Sequence, residues 1–432
     1  MSNLTHRILL GEFDGSSSDD DEITMVQMIM ARQYQKFQRR RQQGGHVGST
    51  SGRAWIPRDR VAADQRLNDD YFCEYPLYDE KLFQQRFRMS RPLFHKILGK
   101  LQEHDVTFVQ RNDATGAVGL SGIQKMTAAL RMMAYGTPAD SLDEYLKIGG
   151  STAVESLQSF CRGVISIFEA EYLRKPNEAD TARLLHVGNQ RGFPGMLGSL
   201  DCMHWQWDKC PTAYHGFFSG RSGKPTIVLE AVASYDLWIW HAFFGMPGSF
   251  NDINVLDQSH LFDDLSAGRA PPAHFIVNGS QYDMGYYLAD GIYPKWATLV
   301  QTISQPQGRK KQHFARMQEA CRKDVERAFG VLQARWAIVR GPARFWNEVD
   351  LGYIMKTCVI LHNMIIEDQR DHDASDEITE LLSSNPIQVS RDITPALVDF
   401  FKNNRRIRSN EAHHSLRNDL IEHLWARNGD EE

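Results

Sequence analysis

Cysteine is scarce in this sequence: six in 432 residues, with Cys161, Cys321 and Cys358 among apolar neighbours. Such a set makes no disulfide framework and suits a reducing compartment. Apolar runs of transmembrane length are absent, which argues against a membrane protein. The opening stretch, Met1 to Leu10, lacks the long apolar core of a signal peptide, so a cytosolic or nuclear protein is expected. Positive charge is not in excess either. The formal net charge is −5, so any nucleic-acid footprint has to be local. No internal repeat is visible. Cys202, His204, Cys210 and His215 are close in sequence, but their spacing fits no standard zinc pattern.

What is present is an ordinary globular composition, 42% apolar and 24% charged, with length for two or three domains. Residues 1–60 read as a disordered tail. An acidic, serine-rich run (Asp14 to Glu22) is followed by a helix-prone segment ending in Arg39-Arg40-Arg41. The arginine triplet reads either as a solvated helix end or as a nuclear-import or phosphate-binding patch. Residues 70–175 are helical in pattern, with Leu82, Phe83, Phe87, Leu93, Phe94, Ile97 and Leu101 at steps of three and four. Helices are expected over 121–135, 141–148 and 151–168, the last with Thr152 and Glu155 as a capping box. This order suits either a helix-turn-helix or a plain bundle. The would-be recognition helix carries one cation, Arg162.

After Pro176 a polar linker is expected. Strands are then expected over 196–201, 226–234, 237–244, 286–290 and 297–303, with a helix from Asn251 to near Gly268. Long helices follow over 312–339 and 351–368. The 195–370 region thus reads as a mixed α/β sheet with helices on its faces. Residues 371–392 read as a linker and 393–432 as a terminal helical segment, packed through Leu416, Leu420, Ile421 and Leu424.

The segment around Glu326 organises the rest. Val325, Phe329, Leu332, Trp336 and Val339 lay an apolar stripe down one helix. Glu326 lies off that stripe, with Arg322 and Lys323 one turn before it. Upstream, Asp201 and Asp290 each end a strand-like run. Two aspartates at strand ends and a glutamate on a later helix are the donors a two-metal phosphoryl-transfer site needs, because Mg²⁺ and Mn²⁺ take oxygen ligands. Singly, each acid also reads as an ordinary turn or surface residue. Asp252, in Pro247-Gly248-Ser249-Phe250-Asn251-Asp252, reads either as a further metal ligand or as a residue capping the following helix. Arg221, Lys224, Arg322, Lys323, Arg327 and Arg335 are the candidate DNA-binding cations, with Phe329, Trp336, Phe345 and Trp346 interleaved. The alternative is a solvated amphipathic face.

These residues sit in stretches that resemble transposases of the PIF/Harbinger superfamily, in the plant-type branch. The stretches are Gly198-Ser-Leu-Asp-Cys-Met-His-Trp, Gly223-Lys-Pro-Thr-Ile-Val-Leu-Glu-Ala-Val-Ala, Pro247-Gly-Ser-Phe-Asn-Asp, Tyr287-Leu-Ala-Asp-Gly-Ile-Tyr-Pro and Val325-Glu-Arg-Ala-Phe-Gly-Val-Leu-Gln-Ala-Arg. Leu361-His-Asn-Met and the tail from His413 to Gly429 complete them. The resemblance implies an RNase H-like catalytic core and a DDE triad of Asp201, Asp290 and Glu326. It implies two Mg²⁺ or Mn²⁺ ions, with Asp252 at a position sometimes given as a ligand. The implied reaction is cleavage of DNA at transposon terminal repeats, then attack of the freed 3′-hydroxyl on an A/T-rich target. It also implies a nuclear location, a Myb-like DNA-binding partner and, by analogy, a homo-oligomer. A domesticated copy, kept as a non-catalytic chromatin or protein-interaction module, is the alternative. Cys202 stands where some branches have glycine after the first aspartate.

Overall fold

Helix ends in the first third of the chain are set by side-chain caps. In the computed structural model, which describes residues 56–112, 116–221, 223–373 and 397–430, Asp59 caps α1 (Arg60–Tyr71) and Asp79 caps α2 (Glu80–Phe87). Ser90 caps α3 (Arg91–His104), which has Pro92 in its first turn. Ser121 and Gln124 form a reciprocal capping box on α4 (Gly122–Tyr135), and Gly136 ends that helix in the left-handed region. The short α5 (Asp143–Leu146) leads to α6 (Gly150–Tyr172). The box expected at Thr152 and Glu155 does not form. The helix begins at Gly150, with Gly149 at its cap position and no side-chain cap bond. The expected linker after Pro176 is instead α7 (Glu178–Gln190), closed by a box between Asn177 and Asp180. Its apolar residues are few, and that made it read as polar. The expected tail over 1–60 lies outside the described residues up to residue 55, and most of the 371–392 linker lies outside them from residue 374.

The chain next lays down β1 (Met196–Gln206), α8 (His215–Phe218), β2 (Thr226–Ala233) and β3 (Ile239–Pro247) as an antiparallel meander. The helix expected from Asn251 to Gly268 is two pieces, α9 (Asp252–Gln258) and α10 (Asp263–Ser266). Ser259 breaks it in extended backbone, and its hydroxyl contacts His241. A hairpin with no strong alternation in sequence, β4 (Phe275–Val277) and β5 (Ser280–Tyr282), precedes β6 (Tyr286–Ala289) and β7 (Leu299–Gln301). The main sheet runs β3-β2-β1-β6-β7, with β6 parallel to β1 and β7 parallel to β6. The expected α/β class, a mixed sheet flanked by helices behind a helical N-terminal region, is what the chain adopts.

Helix α11 (Arg309–Arg335) is followed by α12 (Ala337–Arg340) after a break at Trp336, then by α13 (Glu348–Asp373), α14 (Leu397–Ile407) and α15 (Asn410–Asp430). Val325, Phe329, Leu332, Trp336 and Val339 are all buried, as their spacing requires. The largest core joins residues of the helical region (Phe87, Phe94, Phe160) to the sheet (Leu229, Ala231), α11 (Leu332) and α13 (Leu361). A second cluster packs Leu416, Leu420, Ile421 and Leu424 of α15 against Leu288 and Phe314. A third, of Leu200, Val232, Leu256, Ala289 and Leu299, lines the other sheet face.

One sequence reading changes here. The segment Glu348–Arg370 is long and apolar enough to cross a membrane by length and composition, contrary to the reading that no such run exists. Most of it is buried inside the molecule, against α6 and β3, so it serves as a core helix. Helix α6, the would-be recognition helix, packs against α3, α4 and α13. Ser151, Glu155, Arg162, Ser166, Ala170 and Glu171 are its exposed residues. That stripe is poor in donors for base edges or phosphates.

Candidate active site

Asp201 and Asp290 are brought together by strand register. The last parallel pair between β1 and β6 is Ser199 with Leu288. Each aspartate lies two residues beyond its member of that pair. Alternation therefore places both on the face shared by Ser199 and Leu288, which is the face covered by α11. Ser199 donates its hydroxyl to the Cys321 carbonyl of α11 at 3.0 Å, and Leu288 packs with Phe314 and Cys321. Asp201 does not end its strand. β1 continues to Gln206, with Asp201 paired to Ala231. Gly198 permits the close β1–β2 approach that starts this run, since a Cβ there would lie 2.7 Å from the Ala233 carbonyl oxygen.

Helix α11 is clamped onto these strand ends by a row of side chains four residues apart. Buried Gln318 donates from Nε2 to the carbonyls of Ala289 (3.1 Å) and Val300 (3.0 Å), closing the ends of β6 and β7. Arg322 donates from Nη1 to Asp201 Oδ2 at 3.2 Å and pairs with Glu326 Oε1 at 2.8 Å. Gln318, Arg322 and Glu326 thus share one helix face. Sequence reading missed Gln318 and Ser199 and did not see Arg322 as a partner of Asp201. The i, i+4, i+8 spacing of the three polar residues was the available signal.

Asp201 is largely buried, and that burial pushes its carboxyl up to about 6. The Cys202 amide (2.8 Å) and Arg322 oppose the shift, while the charges of Asp252 and Glu326 add to it. Asp252, the first residue of α9 with Asn251 as cap, is also shifted upward. Burial is the main cause, eased by His204 and the Cys202 thiol and reinforced by Asp290 and Glu230. Asp290 is exposed and accepts from the Gly291 amide at 2.6 Å. Glu326 has a side chain 43% exposed. These four acids sense one another. Even so, among the described residues no three histidine, cysteine or acidic side chains gather closely enough to hold a metal ion. That applies equally to Cys202, His204, Cys210 and His215.

In chemistry the donors fit hard divalent ions. All four are carboxylates, two of them held up in pKa by burial and by like charge, and a guanidinium rather than a ligand cage bridges Asp201 to Glu326.

The candidate cations divide. Lys323, Arg327 and Arg221 are exposed, and Arg327 also pairs with Asp324 at 3.1 Å. Lys224 is exposed on the loop before β2. Arg335 is turned inward instead. It bonds His362 Nδ1 and carbonyl O at 3.1 and 3.2 Å and Gln369 at 2.8 Å, and burial lowers its pKa to about 10. Of the interleaved aromatics, Phe329 and Trp336 are core and Trp346 is 69% exposed. The Leu361-His-Asn-Met stretch is structural. His362 donates to the Leu237 carbonyl at 2.8 Å, and Asn363 brackets Ile239, accepting from its amide at 3.0 Å and donating to its carbonyl at 2.8 Å.

The sequence family described as "Plant transposon protein" matches residues 170–373, and a family described only as a domain of unknown function matches residues 64–102. A "Protein ALP1-like" from Arabidopsis thaliana is 24% identical over 307 residues, covering 69% of this chain and 74% of that protein. A "Putative nuclease HARBI1" from Bos taurus is 24% identical over 182 residues, covering 42% of this chain and 48% of that protein, about half its length. No solved structure matches the chain significantly. The motifs that carry Asp201, Asp290 and Glu326 lie inside the matched region, and there the chain is similar to Harbinger-derived, transposase-like proteins.

Proposed function

We propose that this chain is a metal-dependent DNA nuclease and transposase, with Asp201, Asp290 and Glu326 as its DDE triad on an RNase H-like core. The observation that carries the reading is the register. Asp201 and Asp290 stand two residues past the last β1–β6 pair, under a helix that presents Glu326. The sheet order, three antiparallel strands followed by two parallel ones, supports the RNase H-like assignment. So do the names of the relatives, a plant transposon protein and a putative nuclease.

Asp201, Asp290 and Glu326, with Asp252 beside them, would hold two Mg²⁺ or Mn²⁺ ions. When bound, these ions supply Lewis-acid stabilisation of the attacking and leaving oxygens of a phosphodiester. The chain's own groups do the rest. Asp201 and Asp290 are aimed by strand register, and the helix that carries Glu326 is fastened to the strand ends by Gln318. Lys323, Arg327, Arg221 and Lys224 offer cations to the DNA backbone, whereas Arg335 stabilises α13. The substrate of this reading is DNA bearing transposon terminal repeats, with a Myb-like partner, a homo-oligomeric assembly and a nuclear location.

A domesticated, non-catalytic role is the second reading. It is favoured by the absence of a gathered metal cage among the described residues. Cleavage of terminal-repeat DNA in Mg²⁺, Mn²⁺ or chelator, with and without a Myb-like partner, decides between them. Metal-dependent nicking at the repeat ends that Glu326→Ala removes establishes the enzyme. Folded protein that cuts under none of these conditions establishes the binding module.

A further inference from the structure

Arg322 is unusual in how it serves two carboxylates. One nitrogen, Nη1, reaches both Asp201 Oδ2 (3.2 Å) and Glu326 Oε1 (2.8 Å), on two separate elements. The side chain is only 15% exposed, and its Nε is buried with no hydrogen-bond partner. Arginine at its best makes a planar, bidentate fork on one carboxylate. Here the fork is split and part of it is left unsatisfied, so the pair is held by proximity more than by fit. A buried donor without a partner also destabilises this arrangement.

We propose that Arg322 is the resident counter-ion of the carboxylate site, occupying the place between Asp201 and Glu326 that a divalent cation takes, so that metal loading and release of this guanidinium are one exchange. The inference rests on the DDE reading above. A singly charged group leaves and a doubly charged ion enters, so the acids keep a counter-ion in both states and gain positive charge on loading. The released guanidinium stays one helical turn from Glu326. There its fork matches the two free oxygens of a phosphate better than it matches Asp201 and Glu326 together. Metal and DNA binding then favour each other through one residue.

Direct Mn²⁺ binding to the full chain without DNA, read from the EPR signal of free Mn²⁺, tests this without reference to cleavage. Arg322→Ala and Arg322→Gln should bind Mn²⁺ about fivefold to tenfold tighter than wild type, the size expected when one competing ion pair is removed. Lys323→Ala, which removes a neighbouring exposed cation, should change affinity less than about twofold at moderate salt. Unchanged or weaker binding by both Arg322 variants overturns the exchange and leaves the DDE reading standing. Equal tightening by Lys323→Ala overturns it too, since the effect is then the general field. Loss of Mn²⁺ binding in Asp201→Asn supports the metal site itself. If neither wild type nor the Arg322 variants bind Mn²⁺, both the site and the exchange fall. Circular dichroism confirms folding, and Arg322→Gln, which keeps the stem packed, decides the matter should the alanine variant unfold.

Discussion

Asp236 and Asp201 are both mostly buried acids in the antiparallel half of one sheet, and the chain treats them in opposite ways. Asp236 sits in the β2–β3 turn with Arg183 at 2.8 Å, Arg370 at 2.5 Å and the Ser234 hydroxyl against it. Burial alone would raise its pKa, but Arg370, Ser234 and Arg183 together hold it below the usual carboxylate range. Asp324, 1% exposed, is likewise gripped by Arg191 and Arg327. Asp201 has a single shared guanidinium and like charges around it, and its pKa rises to about 6. One arrangement is a finished structural knot. The other is short of positive charge, as a site is when it waits for a cation.

The largest effect should come from the open cluster's chemistry. Alanine at Asp201, Asp290 or Glu326 should lower cleavage of terminal-repeat DNA by about a thousandfold or more while leaving the fold intact. Near-normal cutting by any one variant removes that residue from the site. Next comes the closed knot. Asp236→Ala removes the shared partner of two half-exposed guanidiniums and should cost about 1–3 kcal/mol in urea unfolding. A loss below about 1 kcal/mol would show that the knot is solvated and that the contrast with Asp201 is unreal.

Asp201→Asn should go the other way. A raised folded pKa means the protonated form is the favoured one, so the carboxyl's contribution is present at low pH and lost as pH rises from about 4 through about 6. The neutral amide should therefore stabilise the protein by about 1–3 kcal/mol at pH 7.5, after allowance for the weakened Arg322 pair, with the gain vanishing near pH 4. Equal stability at both pH values would remove the electrostatic strain inferred here.

The smallest effect concerns the knot's neighbour. Burial chiefly, with Arg335 adding to it, lowers His362 to about 3, against the hydrogen bond to Leu237 that favours its charge. Its contribution is complete above about 6.5 and is lost as pH falls toward 3, so stability should drop by about 2 kcal/mol between pH 7.5 and pH 5 from this residue alone. His362→Gln should flatten that slope in melts across the range. An unchanged slope would assign the acid sensitivity elsewhere.

Much of this was legible in the sequence because it is local. The apolar stripe from Val325 to Val339, the Pro247-Gly248-Ser249 turn and the strand around Leu288 announce themselves through spacing and turn chemistry. At Gly248 a Cβ would collide with Thr226. The family motifs carried Asp201, Asp290 and Glu326. What stayed hidden depends on partners far along the chain. Arg335 looks like any surface cation until His362 and Gln369 of α13 are seen to hold it. Helix α6 gives no sign in its own sequence that α13, nearly two hundred residues later, packs on one of its faces. Thr152 and Glu155 satisfy a capping pattern, yet the helix starts earlier at Gly150. The split at Ser259 follows from a bond to His241 in another element.

The clamp made by Gln318 also bears on the order in which the chain folds. The meander β1–β3 pairs strands that are consecutive in the chain, whereas β6 and α11 must find β1 across everything that lies between them, and loop-closure entropy makes such pairings late and slow. Asp201 belongs to the early part, and Asp290 and Glu326 to the late part. Since Gln318 fastens only strand ends that are already paired, a chain emerging from synthesis carries its acids apart until the last elements dock, and so brings the proposed site together only after it has finished folding.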